Sequence, residues 1–76
     1  MESNALITID PEIVSGTPVF TGTRVPVKSL FDWLETETLD EFLENFPSVS
    51  REHALAVLHL AEKLVLAKEI PHEAAA

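Results

Sequence analysis

At 76 residues the chain has room for one small domain, whose core buries only about 60% of the unfolded surface, so extra stability must come from a staple or a partner. With no cysteine, a disulfide framework and thiolate metal sites are excluded, leaving self-association or a binding partner. Thirteen acidic residues against five basic ones give a formal charge of −8; this disfavours nonspecific attraction to nucleic acid and suits either a basic protein partner or simple solubility.

The N-terminus lacks the basic run of an export signal, and Leu6-Ile7-Thr8-Ile9 stops at Asp10-Pro11, short of a signal-peptide core, so a cytoplasmic location is expected. Residues 6 to 25 read as extended. Leu6 to Ile9 are strand formers, and Asp10-Pro11 and Val14-Ser15-Gly16-Thr17-Pro18 break the chain. Val19-Phe20 and Val25-Pro26-Val27 then flank a turn at Thr21-Gly22-Thr23. Two or three short strands are expected, lying on the helices or pairing with a second copy, because an isolated hairpin is barely stable in water.

Pro26 suits a first helical position. Val27, Leu30, Phe31 and Leu34 follow at i, i+3, i+4 and i+7 as one apolar stripe, with Trp33 off it. Thr38-Leu39-Asp40-Glu41 has the pattern of a capping box. The second helix it opens carries Leu39, Phe42, Leu43 and Phe46 inward and ends at Pro47. Ser50 is the expected N-cap of a long third helix, with Ala54, Val57, Leu58, Ala61, Leu64 and Val65 on a broad core face. Ile70-Pro71 closes it. The apolar run Leu64 to Ala67 is bounded by Lys63 and Lys68, and nothing reaches the ~20 residues a bilayer span needs.

Ile9-Asp10-Pro11-Glu12-Ile13, Gly16-Thr17-Pro18-Val19 and Gly22-Thr23-Arg24-Val25-Pro26-Val27 together resemble the small prokaryotic family catalogued as domain of unknown function four-three-three. Leu39 to Pro47 is similar to that family's Ser-x-Glu-Glu-Ile-x-x-x-Tyr-Pro block. Val49 to Glu62 is similar to the helix that follows it. The chain departs from the pattern at Glu35-Thr36-Glu37-Thr38, where family members often carry a glycine. The resemblance implies a mainly α fold with a short N-terminal β element, a three-helix homeodomain-like or winged-helix-like bundle containing a helix-turn-helix. The resemblance covers roughly residues 6 to 65; the chain is expected to divide into a disordered N-terminus at 1–5, a single antitoxin-like domain at 6–70 and a frayed tail at 71–76. The resemblance further implies the antitoxin of a type II toxin–antitoxin pair, of the VapB type. Such a protein neutralises a PIN-like or Mut7-C-like nuclease toxin and represses its own operon.

If the last two helices form a helix-turn-helix, base or phosphate contacts fall to Ser50, Arg51, His53 and Ala56, with His59 and Lys63 further along. Against this stands an ordinary solvated face that includes the repulsive Glu52. Arg24 and Lys28 flank the junction into the first helix. They serve either a partner or an internal pairing, Arg24 with Asp10, Glu12 or Asp32. The spacings of His53, His59 and His72 do not make a metal site, and no nucleophile–base pair is evident, so neither cofactor nor enzymatic activity is expected. Trp33, Leu55, Leu60, Leu66 and Ile70 exceed what one small core covers. They are the candidate interface for a homodimer or a toxin. The alternative function is a protein-interaction or adaptor domain that binds no DNA, which the acidity favours.

Overall fold

A computed structural model of the chain describes residues 6–67. The expected disordered start, Ile70 and the expected frayed tail lie outside them. Among the described residues the chain is mainly helical with a small N-terminal sheet, as expected. β1 (Ile7–Thr8) and β2 (Val19–Phe20) pair antiparallel, Ile7 opposite Phe20 and Thr8 opposite Val19, so the strands close within one chain. Strands this short hold only because their surroundings lock them. The Phe20 N–H donates to the Val25 carbonyl at 3.0 Å, and the Val27 N–H donates to the Pro18 carbonyl at 2.9 Å. The Thr23 hydroxyl donates to the Phe20 carbonyl at 2.8 Å and accepts the Val25 N–H at 3.0 Å. Gly22 takes φ +85° in that turn, a value an L side chain resists.

The link between the strands contains a feature the sequence does not announce. Val14, Ser15 and Gly16 all have positive φ, at 49°, 56° and 85°, and form a left-handed 3-10 turn. For a β-branched valine this is strained backbone. The Gly16 N–H to Ile13 carbonyl and Thr17 N–H to Val14 carbonyl bonds hold it in place.

α1 (Val27–Trp33) starts one residue later than expected, with Pro26 as an extended N-cap. Its inward face differs from the apolar stripe read in the sequence. Leu30 is fully buried and Val27, Trp33 and Leu34 pack on the core, while Phe31 faces solvent. The reason is aromatic packing. Rolling the helix toward Trp33 brings its indole to 5.6 Å from the Phe46 ring and 6.5 Å from the Phe42 ring, both edge-on. Such pairs contribute about 0.5–1.5 kcal/mol each beyond area burial. Trp33 therefore belongs to the core margin, not to an exposed interface.

α2 (Leu39–Asn45) begins with the expected capping box: the Thr38 hydroxyl accepts the Glu41 N–H at 3.1 Å, and the Glu41 carboxylate accepts the Thr38 N–H at 3.1 Å. Leu39, Phe42, Leu43 and Phe46 face inward. Ser50 caps α3 (Arg51–Ala67) by accepting the His53 N–H at 3.0 Å. Phe20, Leu30, Phe42, Val49, Ala54 and Val57 form the buried core.

Leu64 and Val65 do not join that core, contrary to the expected broad face; they are 56% and 54% exposed. The cause is length. α1 and α2 have seven residues each and α3 has seventeen, so at 1.5 Å per residue α3 runs about 15 Å further than either neighbour. Every residue from 62 to 67 is exposed.

Phe42→Ala is expected to cost about 3–5 kcal/mol. Total stability for a domain of this size is roughly 4–11 kcal/mol, so the variant should be largely unfolded at low urea. Leu66→Ala, at a side chain 71% exposed, should stay within about 0.5 kcal/mol of the parent. Urea denaturation followed by tryptophan fluorescence checks both.

Candidate binding surface on the third helix

The first turn of α3 is tied into the domain. The Arg51 guanidinium pairs with the Asp40 carboxylate of α2, both groups more than half exposed. His53 turns inward. Its Nε2 lies 2.9 Å from the Leu6 carbonyl, and its ring stands edge-on to Phe20 at 5.2 Å and 89°. The same carbonyl accepts the Thr21 N–H at 3.1 Å, so His53 latches the start of the hairpin to α3. Ser50 is engaged as the cap, Ala56 is half-buried, and Lys63 stands about 18 Å along the axis from Arg51. Of the residues expected to touch DNA, only Ser50, Arg51 and His53 come together, and each already has a partner inside the chain.

Arg24 is exposed and makes no ion pair among the described residues. Of the three acids read as internal partners for Arg24, namely Asp10, Glu12 and Asp32, none pairs with it, and Asp32 pairs instead with Lys28 at 2.7 Å, one helical turn away. That hydrogen bond and the charge of Asp32 hold the Lys28 ammonium above the usual lysine range.

The α1–α2 junction is acidic, with Glu35, Glu37, Asp40, Glu41 and Glu44 all exposed. The hydrogen bond from the Thr38 backbone holds Glu41 below the usual carboxylate range. The hydrogen bond and charge of Glu41 in turn push Glu37 up. On acidification Glu37 takes up a proton first, which eases the repulsion, and the cap keeps its acceptor until Glu41 itself is protonated.

The apolar surface is concentrated on α3 and lies on two faces. Leu64 and Val65 continue the stripe of Ala54, Val57, Leu58 and Ala61 past the edge of the core. Leu55 and Leu66, 45% and 71% exposed, lie about 80–100° around the helix from Val65 and nearly opposite Leu64. Leu60 is half-buried and lies on the other flank of the core stripe, beside Leu64. Leu64 and Val65 were missed as surface because periodicity shows which face is apolar, not how far the opposing elements extend. The ratio of helix lengths was the signal that reveals it.

The family described as "Protein of unknown function (DUF433)" matches residues 7–61. Among solved structures, a DUF433 member protein from Anabaena variabilis ATCC 29413 is similar at 28% identity and a TM-score of 0.64. The match covers 78% of this chain and 59% of that one, so this chain spans less than two thirds of that protein's length. No curated protein matches. The family match ends where α3 leaves the core, and residues 62–67 lie beyond it.

His53→Ala removes the latch and should cost about 1–2 kcal/mol, with faster hydrogen exchange at the Thr21 amide. Arg51→Ala, breaking an exposed pair, should cost no more than about 1 kcal/mol. Thr38→Ala should cost about 1 kcal/mol. The folded state binds the Glu41 proton less tightly than the unfolded chain does. The contribution of Glu41 is therefore full above the ordinary glutamate range and lost as pH falls through its lower folded value. A pH series of denaturation midpoints should show a steeper acid loss for the parent than for Glu41→Gln, which has no carboxylate at that position to titrate.

Proposed function

We propose that this chain, which belongs to the DUF433 family, is a non-enzymatic binding module serving as the antitoxin of a type II toxin–antitoxin pair. In this reading it lodges the distal half of α3 in a cognate nuclease-like toxin of the PIN-like or Mut7-C-like kind, in the cytoplasm. The observation that carries the reading is the overhang of α3, with Leu64 and Val65 exposed on a continuation of the core stripe. An amphipathic helix with an open apolar face suits a groove that accepts anchors at i, i+3 and i+4 spacing. A nuclease must hold phosphates and so carries basic surface, and the charge of −8 favours its approach. The identity of the toxin class rests on the family resemblance, the docking element on the geometry.

Repression of its own operon is the weaker half of the reading. Arg51 is occupied by Asp40, His53 is turned toward Phe20, and Glu52 is exposed between them. These observations favour the adaptor-like alternative over direct base reading. No helix among the described residues is long and apolar enough to cross a membrane.

Fluorescence anisotropy of the labelled chain with the product of the adjacent gene tests the proposal. A saturable complex is expected. Leu64→Asp with Val65→Asp should weaken it more than tenfold, about 1.4 kcal/mol or more, without changing the far-ultraviolet circular dichroism. No complex, or one indifferent to the double substitution, would refute the α3 assignment. Upstream DNA is expected to bind weakly and without sequence preference. Selective binding abolished by Arg51→Ala would move the function to DNA.

A further inference from the structure

The second apolar face of α3 has an internal symmetry that the proposed toxin contact does not use. Leu55, His59, Glu62 and Leu66 follow one another at spacings of four, three and four residues, which places them in one line along the helix. All four are exposed: Leu55 by 45%, Leu66 by 71%, and the His59 and Glu62 side chains by 81% and 62%. The imidazole and the carboxylate stand 4.0 Å apart at the centre of the line. Read in reverse, the line has leucines again at its ends, with acid and base exchanged in the middle.

We propose that two copies of this chain associate through this face, with their α3 helices antiparallel about a two-fold axis passing between His59 and Glu62. In such an isologous contact residue i meets j and j meets i. Leu55 then packs on Leu66 of the partner subunit and His59 faces Glu62 of the partner subunit, each contact made twice. A parallel pairing sets His59 on His59 and Glu62 on Glu62, and so brings carboxylate against carboxylate. The antiparallel one places apolar on apolar and lets each His59 imidazole donate a hydrogen bond to the Glu62 carboxylate of the partner subunit.

The wider charge distribution points to the same occupant. Two chains of −8 repel each other, and the acidic α1–α2 junction cannot lie against its own copy without desolvating carboxylates beside carboxylates. The Leu55–Leu66 line carries a single carboxylate per copy, beside an imidazole that can hydrogen-bond to it, so two copies meet there with far less of that penalty. The contact spans three helical turns, about 16 Å, and buries less than the ~1,200 Å² of a standard stable interface. The dimer is therefore weak and reversible, with dissociation in the micromolar range or above. Leu64 lies on the far side of α3 and remains open to a partner, while Val65 borders the line; crosslinking in the chain alone therefore reads the dimer separately from the toxin reading.

The absence of cysteine makes the register directly testable in the chain alone. Leu55→Cys and Leu66→Cys are made separately, at exposed positions, and circular dichroism checks that each folds as the parent does. Each variant alone and an equal mixture are then exposed to a mild oxidant. In the antiparallel register like positions sit about 16 Å apart along the axis, beyond the ~4.4–6.8 Å Cα separation a disulfide needs. Unlike positions sit face to face. The mixture should form crosslinked dimer at least tenfold faster than either variant alone. Sedimentation equilibrium of the unsubstituted chain should show a concentration-dependent dimer that Leu66→Glu abolishes. Crosslinking of a single variant as fast as the mixture would overturn the antiparallel pairing. A chain that stays monomeric to millimolar concentration and gives no crosslink would overturn the dimer itself.

Discussion

The ring of Phe42, fully buried, is where the short elements of the chain meet. It lies 6.2 Å from Phe20 of β2, 6.5 Å from Trp33 of α1 and 4.7 Å from Phe46 at the end of its own helix. None of these elements is stable by itself: the strands have two residues each and the first two helices seven, below the length at which an isolated helix persists in water. Their conformation is bought by tertiary burial around this aromatic cluster. The hairpin, the roll of α1 toward Trp33 and the seat for Ala54 and Val57 of α3 all depend on it.

A core built from such short pieces can hold only a short stretch of α3, and this divides the helix into two halves with different work. The proximal half is structural: Ser50 caps it, Arg51 reaches Asp40, His53 latches Leu6, and Ala54 and Val57 fill the core. Among the described residues the distal half has no opposing element, yet its sequence stays apolar on two faces. Exposed leucine and valine at regular helical spacing cost solubility unless something covers them, and the strong negative charge of the chain offsets that cost while the faces stand open. On this reading the acidity and the bare helix are two parts of one arrangement. The charge keeps the free chain dispersed and steers a basic partner toward it.

Much of the fold was legible in the sequence because local chemistry and global packing agree there. Thr38 and Glu41 announce the capping box, Ser50 announces the start of α3, and Leu39, Phe42, Leu43 and Phe46 face the core as their spacing requires. The differences arise where a tertiary contact outweighs a local pattern. Trp33 displaces Phe31 from the inward face because only the indole reaches both Phe42 and Phe46. The left-handed turn at Val14 contradicts the preference of its own side chain and is imposed by closure of the hairpin. The site was half legible. Leu55 and Leu66 were expected as surface, but Leu64 and Val65 read as core, since a stripe of apolar residues does not say where its counterpart ends. The inward turn of His53 depends on a carbonyl 47 positions away, a contact no local pattern encodes.

Hydrogen exchange along α3, with and without the product of the adjacent gene, tests the central claim that the distal half of this helix is the binding element. In the free chain the amides of Glu62–Ala67 should exchange fast, as in a helix end with little packing to protect it. With the partner present they should become strongly protected, while Arg51–Val57 change little. Protection gained at Arg51–His53 and around Asp40, with the distal amides unchanged, would contradict the account and place the binding surface at the first turn.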